Sequence, residues 1–466
     1  MTEPSLHSDR VDSNRANAQR AAAPPLLYGL DERPPWPQLG LAAIAHLLAI
    51  VASIATAPLL IARGLNLDAA ATGYLISSAL IVSGIATAVQ ILRVGPFGSG
   101  LLSIQGTSFA FIGALLLAGS IVDRSAMTDS DFVGLLLGSA AVGALCTVVI
   151  GYYVERLSRV ITPNVTGISV FLLGLSLVGA AWNNFQFTLA TTARTGPVYI
   201  EAAVVFVVII GSAWLASRLA SGWLRLTSIT LGLLAGMLAA WLLDDLTPPA
   251  AGAAQGLSWL RPLAFPLGFD VVVFALLTPI YFVTMAEAIG DLTATAMLSR
   301  QPTTGAPYWR RVRGGVMADG LNSVVAAGFG TFPNTTFSQN NGVIRLTGVA
   351  SRAVGIVVAA LLIVLGTLPG FANLFQWVPG GVLHATTGLL FAMIAITGLR
   401  LLEAQPNRRR TLTMLIVCTL AAFALTLVPP LLADVGVTLP AWLTLLFGFP
   451  VASGALIALL WEWLSS

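Results

Sequence analysis

Apolar stretches long enough to cross a lipid bilayer follow one another almost without pause from residue 39 to residue 463. A spanning helix needs about 20 apolar residues. Fourteen such segments can be drawn: 39–62, 70–92, 101–118, 131–153, 158–182, 198–217, 223–243, 271–297, 313–330, 336–349, 352–370, 379–402, 411–433 and 438–463. The third and tenth are short. Lipid offers no water to satisfy a bare backbone, so the fold class is an all-α polytopic membrane protein. Composition agrees. Of 466 residues only 9% are charged, against about 25% in a soluble domain, and mean hydropathy is +0.87. This excludes a soluble enzyme, a disordered chain and a nucleic-acid binder. The basic residues are all Arg, scattered, with a net charge of only +3. Cys146 and Cys418 both lie in apolar runs, so no disulfide framework is implied.

Arg placement tests the segment count. With residues 1–35 as a disordered cytoplasmic tail, the loops expected inside hold fourteen Arg, including Arg156, Arg310, Arg311 and Arg409. The opposite loops hold four, Arg63, Arg124, Arg194 and Arg261, together with the acidic Asp123, Asp129, Asp244 and Asp245. This bias predicts a multi-pass protein of the cell inner (plasma) membrane with both termini cytoplasmic.

The two short segments occupy matching places if the chain is two halves of seven. Thr107-Ser108-Phe109 in the third answers Thr336-Phe337-Ser338 in the tenth, and Ala45-His46 loosely answers Ala286-Glu287. Seven is odd, so the second half would be inverted. Paired short segments in inverted repeats point to a midplane binding site, because their free N–H groups face a polar ligand.

Titratable groups narrow the site. Glu287 sits deep in segment eight, and Asp291 follows one turn later on the same face. Asp319 lies in segment nine and His46 in segment one. An intramembrane acid is costly, which makes a ligand contact or proton relay the expected role. Asp291, Asp319 and His46 read equally well as ties between helices. His384 reads as structural. The amide run Gln339-Asn340-Asn341 before Gly342 offers paired donors and acceptors without charge, the chemistry that reads the edge of a planar heterocycle. A loop of helix caps would contain the same residues, but polar loops at membrane depth are tolerated only beside a cavity.

Gln339-Asn340-Asn341-Gly342-Val343-Ile344-Arg345-Leu346-Thr347-Gly348 resembles the signature of the nucleobase–ascorbate transporter family, the second class of nucleobase:cation symporters. Glu287 to Thr295, Gly314 to Gly320, Gly106 to Phe109 and Ile161 to Gly167 resemble further motifs of that family, in order, over about residues 28–463. The resemblance implies fourteen helices in a seven-plus-seven inverted repeat. A core domain would comprise 39–153 (segments 1–4) and 271–370 (segments 8–11). A gate domain, often the dimer contact, would comprise 158–243 (segments 5–7) and 379–463 (segments 12–14). It implies that Glu287 and Gln339 contact the substrate by their side chains. The backbone at Phe109 and Ser338, with Ser108 beside them, would complete the pocket, and the Phe109 ring is placed to stack on the base. Asp319, Asn340, His46 and Asp291 would support affinity or coupling.

Gln at the first motif position goes with purines in this family, and Glu with uracil. The expected activity is therefore proton-coupled uptake of xanthine or uric acid by an elevator-like carrier, homodimeric through the gate and surrounded by lipid. No cofactor or metal is expected. A uracil or other nucleobase permease is the nearest rival. A sulfate-type anion transporter of the same fold is less favoured, because Glu287 would repel its substrate. A membrane enzyme lacks support, since the three His are dispersed and no Gly-x-Ser-x-Gly elbow occurs. Two departures from the family pattern stand out: Ala45 where Gln usually precedes the His, and His384 where Gly is usual.

Overall fold

The computed structural model describes residues 26–157, 162–219, 224, 227–246, 259–403, 405–437 and 439–465. The expected tail falls outside the described residues up to residue 25, as do Arg159 and Arg225 of the charge bias.

The first half runs α1 (Trp36–Gly64), α2 (Ala69–Leu92), β1 (Gln105–Thr107), α3 (Phe111–Ile121), α4 (Asp129–Tyr152), the single turn α5 (Val154–Leu157), α6 (Pro163–Thr191), α7 (Thr195–Arg218) and α8 (Ser228–Leu242). The second runs α9 (Val271–Leu298), α10 (Gly305–Gly328), β2 (Asn334–Thr336), α11 (Gln339–Thr347), α12 (Arg352–Thr367), α13 (Pro369–Gln376), α14 (Gly380–Glu403), α15 (Arg408–Thr426), α16 (Val428–Asp434), α17 (Ala441–Gly448) and α18 (Pro450–Ser465). Among the described residues, eight helices are long and apolar enough to cross a membrane, and nine if α12 and the helix bent 76° from it make one span.

Helix starts follow from local chemistry. The side chains of Asp68, Thr128, Thr162, Asp270, Ser351 and Asn407 each accept a backbone N–H of the first turn. Each thereby satisfies a donor that lipid could not.

The chain is not continuous helix where segments three and ten were drawn. Residues 101–110 are extended or turned before α3, and 331–338 before α11. The two pieces pair as antiparallel strands, Gln105 opposite Thr336, Gly106 opposite Thr335 and Thr107 opposite Asn334. Pro333 has no N–H for a helix. A Cβ on Gly106 would lie 2.7 Å from the Phe337 ring and 2.8 Å from Ile54, so the crossing requires glycine there. Segment nine also begins earlier than drawn, because Gly305 to Trp309 already belong to α10.

The helices pack in two sets. α2 packs along α12 and α10 along α4, with α1 and α9 beside them around the strand pair. α6 packs along α14, α7 along α8, and α15 along α18. Close approach depends on small residues; a Cβ on Gly320 of α10 would meet the Ala144 carbonyl of α4 at 2.9 Å. α9 is the main bridge between the sets, touching α6, α17 and α18.

Candidate functional site

The strand crossing sets the geometry. Beyond the paired residues, Ser108 N–H donates to the Pro333 carbonyl and Phe337 N–H to the Ile104 carbonyl, both at 2.9 Å. Antiparallel pairing sends the chain away from the crossing in opposite directions. The N-termini of α3 and α11 therefore meet at one level, and neither carries a side-chain cap. Their dipole ends, with the N–H groups not already taken by the Ser108 hydroxyl or by the Phe109, Phe337 and Ser338 carbonyls, converge on the same space.

That space is a small pocket of about 40 Å³ lined by Ser108, Phe109, Ala110, Glu287, Thr335, Thr336, Phe337, Ser338 and Gln339, closed on the far side by Leu173 and Ile394. It holds only a few waters' worth of volume. It adjoins a cavity of about 640 Å³ that shares Phe109, Glu287, Ser338, Gln339 and Ile394 and extends to Arg345 and Arg400. All five residues expected to contact substrate thus line one continuous space.

Each is held differently. Phe109 is 7% exposed; its ring stacks on Phe337 at 6.3 Å and meets Phe391 of α14 edge-on at 5.8 Å. Ser108 accepts the Ala110 N–H through its hydroxyl at 3.3 Å. Ser338 is exposed to the cavity and Gln339 partly buried, and both belong to the first turn of α11. Glu287 reaches the cavity from the middle of α9.

The expected support residues lie behind this layer and line neither space. Asp319, on α10, accepts from Gln105 Nε2 at 2.8 Å and Gln90 Nε2 at 3.3 Å. Gln90 also accepts the Ser99 N–H. Asp319 therefore ties α10 to β1 and α2. Asp291 interacts electrostatically with Glu287 and Asp319 and sits beside Thr336. His46 is fully buried beside Asn340, with no satisfied hydrogen bond at either ring nitrogen. Asn340 donates to the Leu102 carbonyl, anchoring α11 to the stretch before β1. His384 lies apart, with Nε2 bonded to Thr188 Oγ1 at 3.0 Å between α14 and α6.

Four features escaped the sequence reading. Asn341 accepts from Thr295 Oγ1 at 2.6 Å and donates to the Asp291 carbonyl at 3.3 Å, so the third amide pins α11 to α9. Gln90 and Gln105 are the partners of Asp319; an amide inside an apolar segment was the available signal. Glu201, in α7, is fully buried against Gly381 and near Asp245; a carboxylate within an apolar segment was the available signal. The strands also carry buried polar atoms without protein partners, on Gln105, Thr107, Asn334, Thr335 and Thr336, a seam of hydrogen-bonding capacity at membrane depth.

A family model described as a permease family (Xan_ur_permease) matches residues 37–431. The chain is 38% identical over 439 residues to Xanthine permease XanP of Escherichia coli (strain K12), covering 93% of each. It is equally identical to Xanthine permease XanQ of the same strain, covering 93% of this chain and 92% of that one. It is 31% identical over 440 residues to a uric acid-xanthine permease of Emericella nidulans, covering 87% of this chain and 76% of that protein. Among solved structures, the fold is similar to the transmembrane domain of the cyanobacterial bicarbonate transporter BicA (TM-score 0.57, 16% identity, 83% of this chain and 96% of that one). It is also similar to SLC26A9 (TM-score 0.58, 12% identity, 90% of this chain and 64% of that one).

Proposed function

The chain belongs to this permease family, and from that premise we propose that it is a multi-pass membrane carrier importing a purine nucleobase, xanthine or uric acid, together with protons. The observation that carries the reading is the convergence of Glu287, Gln339, Phe109, Ser108 and Ser338 on one space between two facing helix N-termini. The base edge pairs with the Gln339 amide and the Glu287 carboxyl. The ring packs on Phe109 and extends from the small pocket into the larger cavity. Backbone N–H groups at the half-helix starts donate to the exocyclic oxygens. Asp319, Asn340, His46 and Asp291 hold the half-helices in register. The protonated Glu287 carboxyl donates to an acceptor on the base, while the ionised one cannot, so proton and purine binding are linked.

The same reading takes the architecture as fourteen spans in an inverted seven-plus-seven repeat. The packing supports it: exchanging the halves turns the α2–α12 pair into α10–α4, and α7–α8 into α15–α18. In this reading 39–153 with 271–370 form the moving core. Residues 158–243 with 379–463 form the gate and the homodimer contact, in the inner membrane with both termini cytoplasmic. Alternating access then carries the strand crossing past the gate, and Phe391 of α14 leaves Phe109 as it does so. Uptake of labelled xanthine, urate and uracil, with and without a protonophore, tests the assignment. Saturable purine uptake abolished by the protonophore is expected; uracil uptake alone, or uptake indifferent to the protonophore, overturns it.

A further inference from the structure

The 640 Å³ cavity ends in two cations that the carrier mechanism above does not use. On α11, Gln339, Gly342 and Arg345 line it at three-residue spacing, with Ser338 and Leu346 beside them. On α14, across the cavity, Ile394, Thr397 and Arg400 repeat the spacing. Six residues of helix rise about 9 Å, so the backbone at Arg345 and at Arg400 stands about that far along its helix from Gln339 and Ile394 of the small pocket, one on each wall. Both are exposed, and among the described residues neither has a hydrogen-bond or ion-pair partner. Among the described residues, the sole carboxylate lining the cavity is Glu287, at its inner end. Glu403, close to Arg400 in sequence, does not line it.

Basic residues in the last turn of a helix can serve the helix dipole, and each Arg occupies that turn of its helix. Neither, however, donates to a carbonyl of its own helix end. A low-dielectric funnel with unpaired charge of one sign focuses its field on the opening and concentrates counter-ions there.

We infer that Arg345 and Arg400 form a cationic collar that selects the anionic form of an oxopurine for passage between the cavity mouth and the Glu287–Gln339 pocket. This rests on the purine-carrier reading and adds the charge state of the substrate to it. Urate, which has lost a ring proton at neutral pH, is the form the collar favours; a neutral purine gains nothing from it. The ring is still recognised by Gln339, and Glu287 must be protonated to receive the anion, so the collar and the proton coupling act in the same direction. Because Arg345 lies on the half-helix and Arg400 on the opposite wall, a relative movement of the two walls disassembles the collar.

The test is equilibrium binding of urate and of xanthine to the purified full-length chain at pH 6.5, where urate is anionic and xanthine mainly neutral. Removing one unit charge about 9 Å away in screened, partly aqueous surroundings weakens anion binding by about two- to fivefold. The double variant R345Q/R400Q should therefore lose about tenfold in urate affinity, with xanthine unchanged within about twofold, and the salt dependence of urate binding should flatten. The charge-retaining R345K/R400K should recover urate binding, and preserved xanthine binding reports that both variants fold. Equal loss for both purines, no loss for urate, or failure of the Lys pair to recover it overturns the collar while leaving the carrier reading in place. Failure of the wild type to bind either purine overturns the carrier reading itself.

Discussion

Replacing Gln339 by Glu changes one group on the pocket wall and nothing in side-chain length. The amide offers a donor and an acceptor; the carboxylate offers acceptors only. An acceptor on the purine edge then loses its partner, at a cost of about 1–3 kcal/mol. The new charge also enters a 40 Å³ pocket already lined by Glu287. Two carboxylates so confined repel one another, and one must take a proton before any base can bind. At 1.4 kcal/mol per tenfold, the first effect alone raises the half-saturating xanthine concentration about 5- to 150-fold. The assay is competition of unlabelled xanthine and uracil against labelled xanthine in cells whose surface abundance of the variant is measured in parallel. Weakened xanthine uptake with new sensitivity to uracil is expected. Xanthine affinity within about twofold of wild type at normal abundance refutes the pairing of Gln339 with the base.

Three further outcomes are expected. Phe109→Ala removes the ring that faces the cavity and packs on Phe337 and Phe391; purine affinity should fall about tenfold, whereas a change in abundance alone would assign Phe109 to packing. Asn341→Ala removes the two bonds tying α11 to α9, at about 1 kcal/mol each; binding of xanthine should weaken about tenfold or more though Asn341 lines neither space, and unchanged binding would show that α11 needs no such tether. Glu462 is 6% exposed and accepts from Arg410, Thr162 and Asn164, joining α18 to α15 and α6; Glu462→Ala should lower the thermal midpoint while leaving the purine affinity of folded protein unchanged, and an unaltered midpoint would contradict a structural role.

What was legible in the sequence was what burial and charge write directly. Helices at membrane depth must be apolar along their length, so α1, α2, α4, α7, α9 and α14 could be drawn within a few residues, while α6 runs nine residues past the drawn end. Glu287 was visible because an acid in the middle of such a helix has no cheap explanation. The two broken segments showed as short apolar runs with hydroxyl and amide residues. Their pairing as strands did not, because three residues of strand leave no periodicity and the partner lies more than two hundred positions away. The second layer was hidden for the same reason. Asp319 looks like any helix acid until Gln105 and Gln90 are brought against it, and Asn341 differs from Asn340 only in the face of α11 it occupies. Glu201 was not singled out, because a position near the start of a helix does not reveal that the start is packed against another helix.

The central claim is that one carboxyl, Glu287, both reads the purine and carries the coupled proton, and Glu287→Gln separates these roles. The amide keeps a donor at the same position and cannot titrate. In proteoliposomes containing xanthine, exchange of labelled for unlabelled base measures binding and movement, and accumulation under an imposed pH gradient measures coupling. The variant is predicted to retain exchange and to lose accumulation driven by the gradient. Robust proton-driven accumulation by Glu287→Gln would contradict the account and move the coupling role to Asp319 or His46, and a requirement for Na⁺ in the wild type would end the proton mechanism.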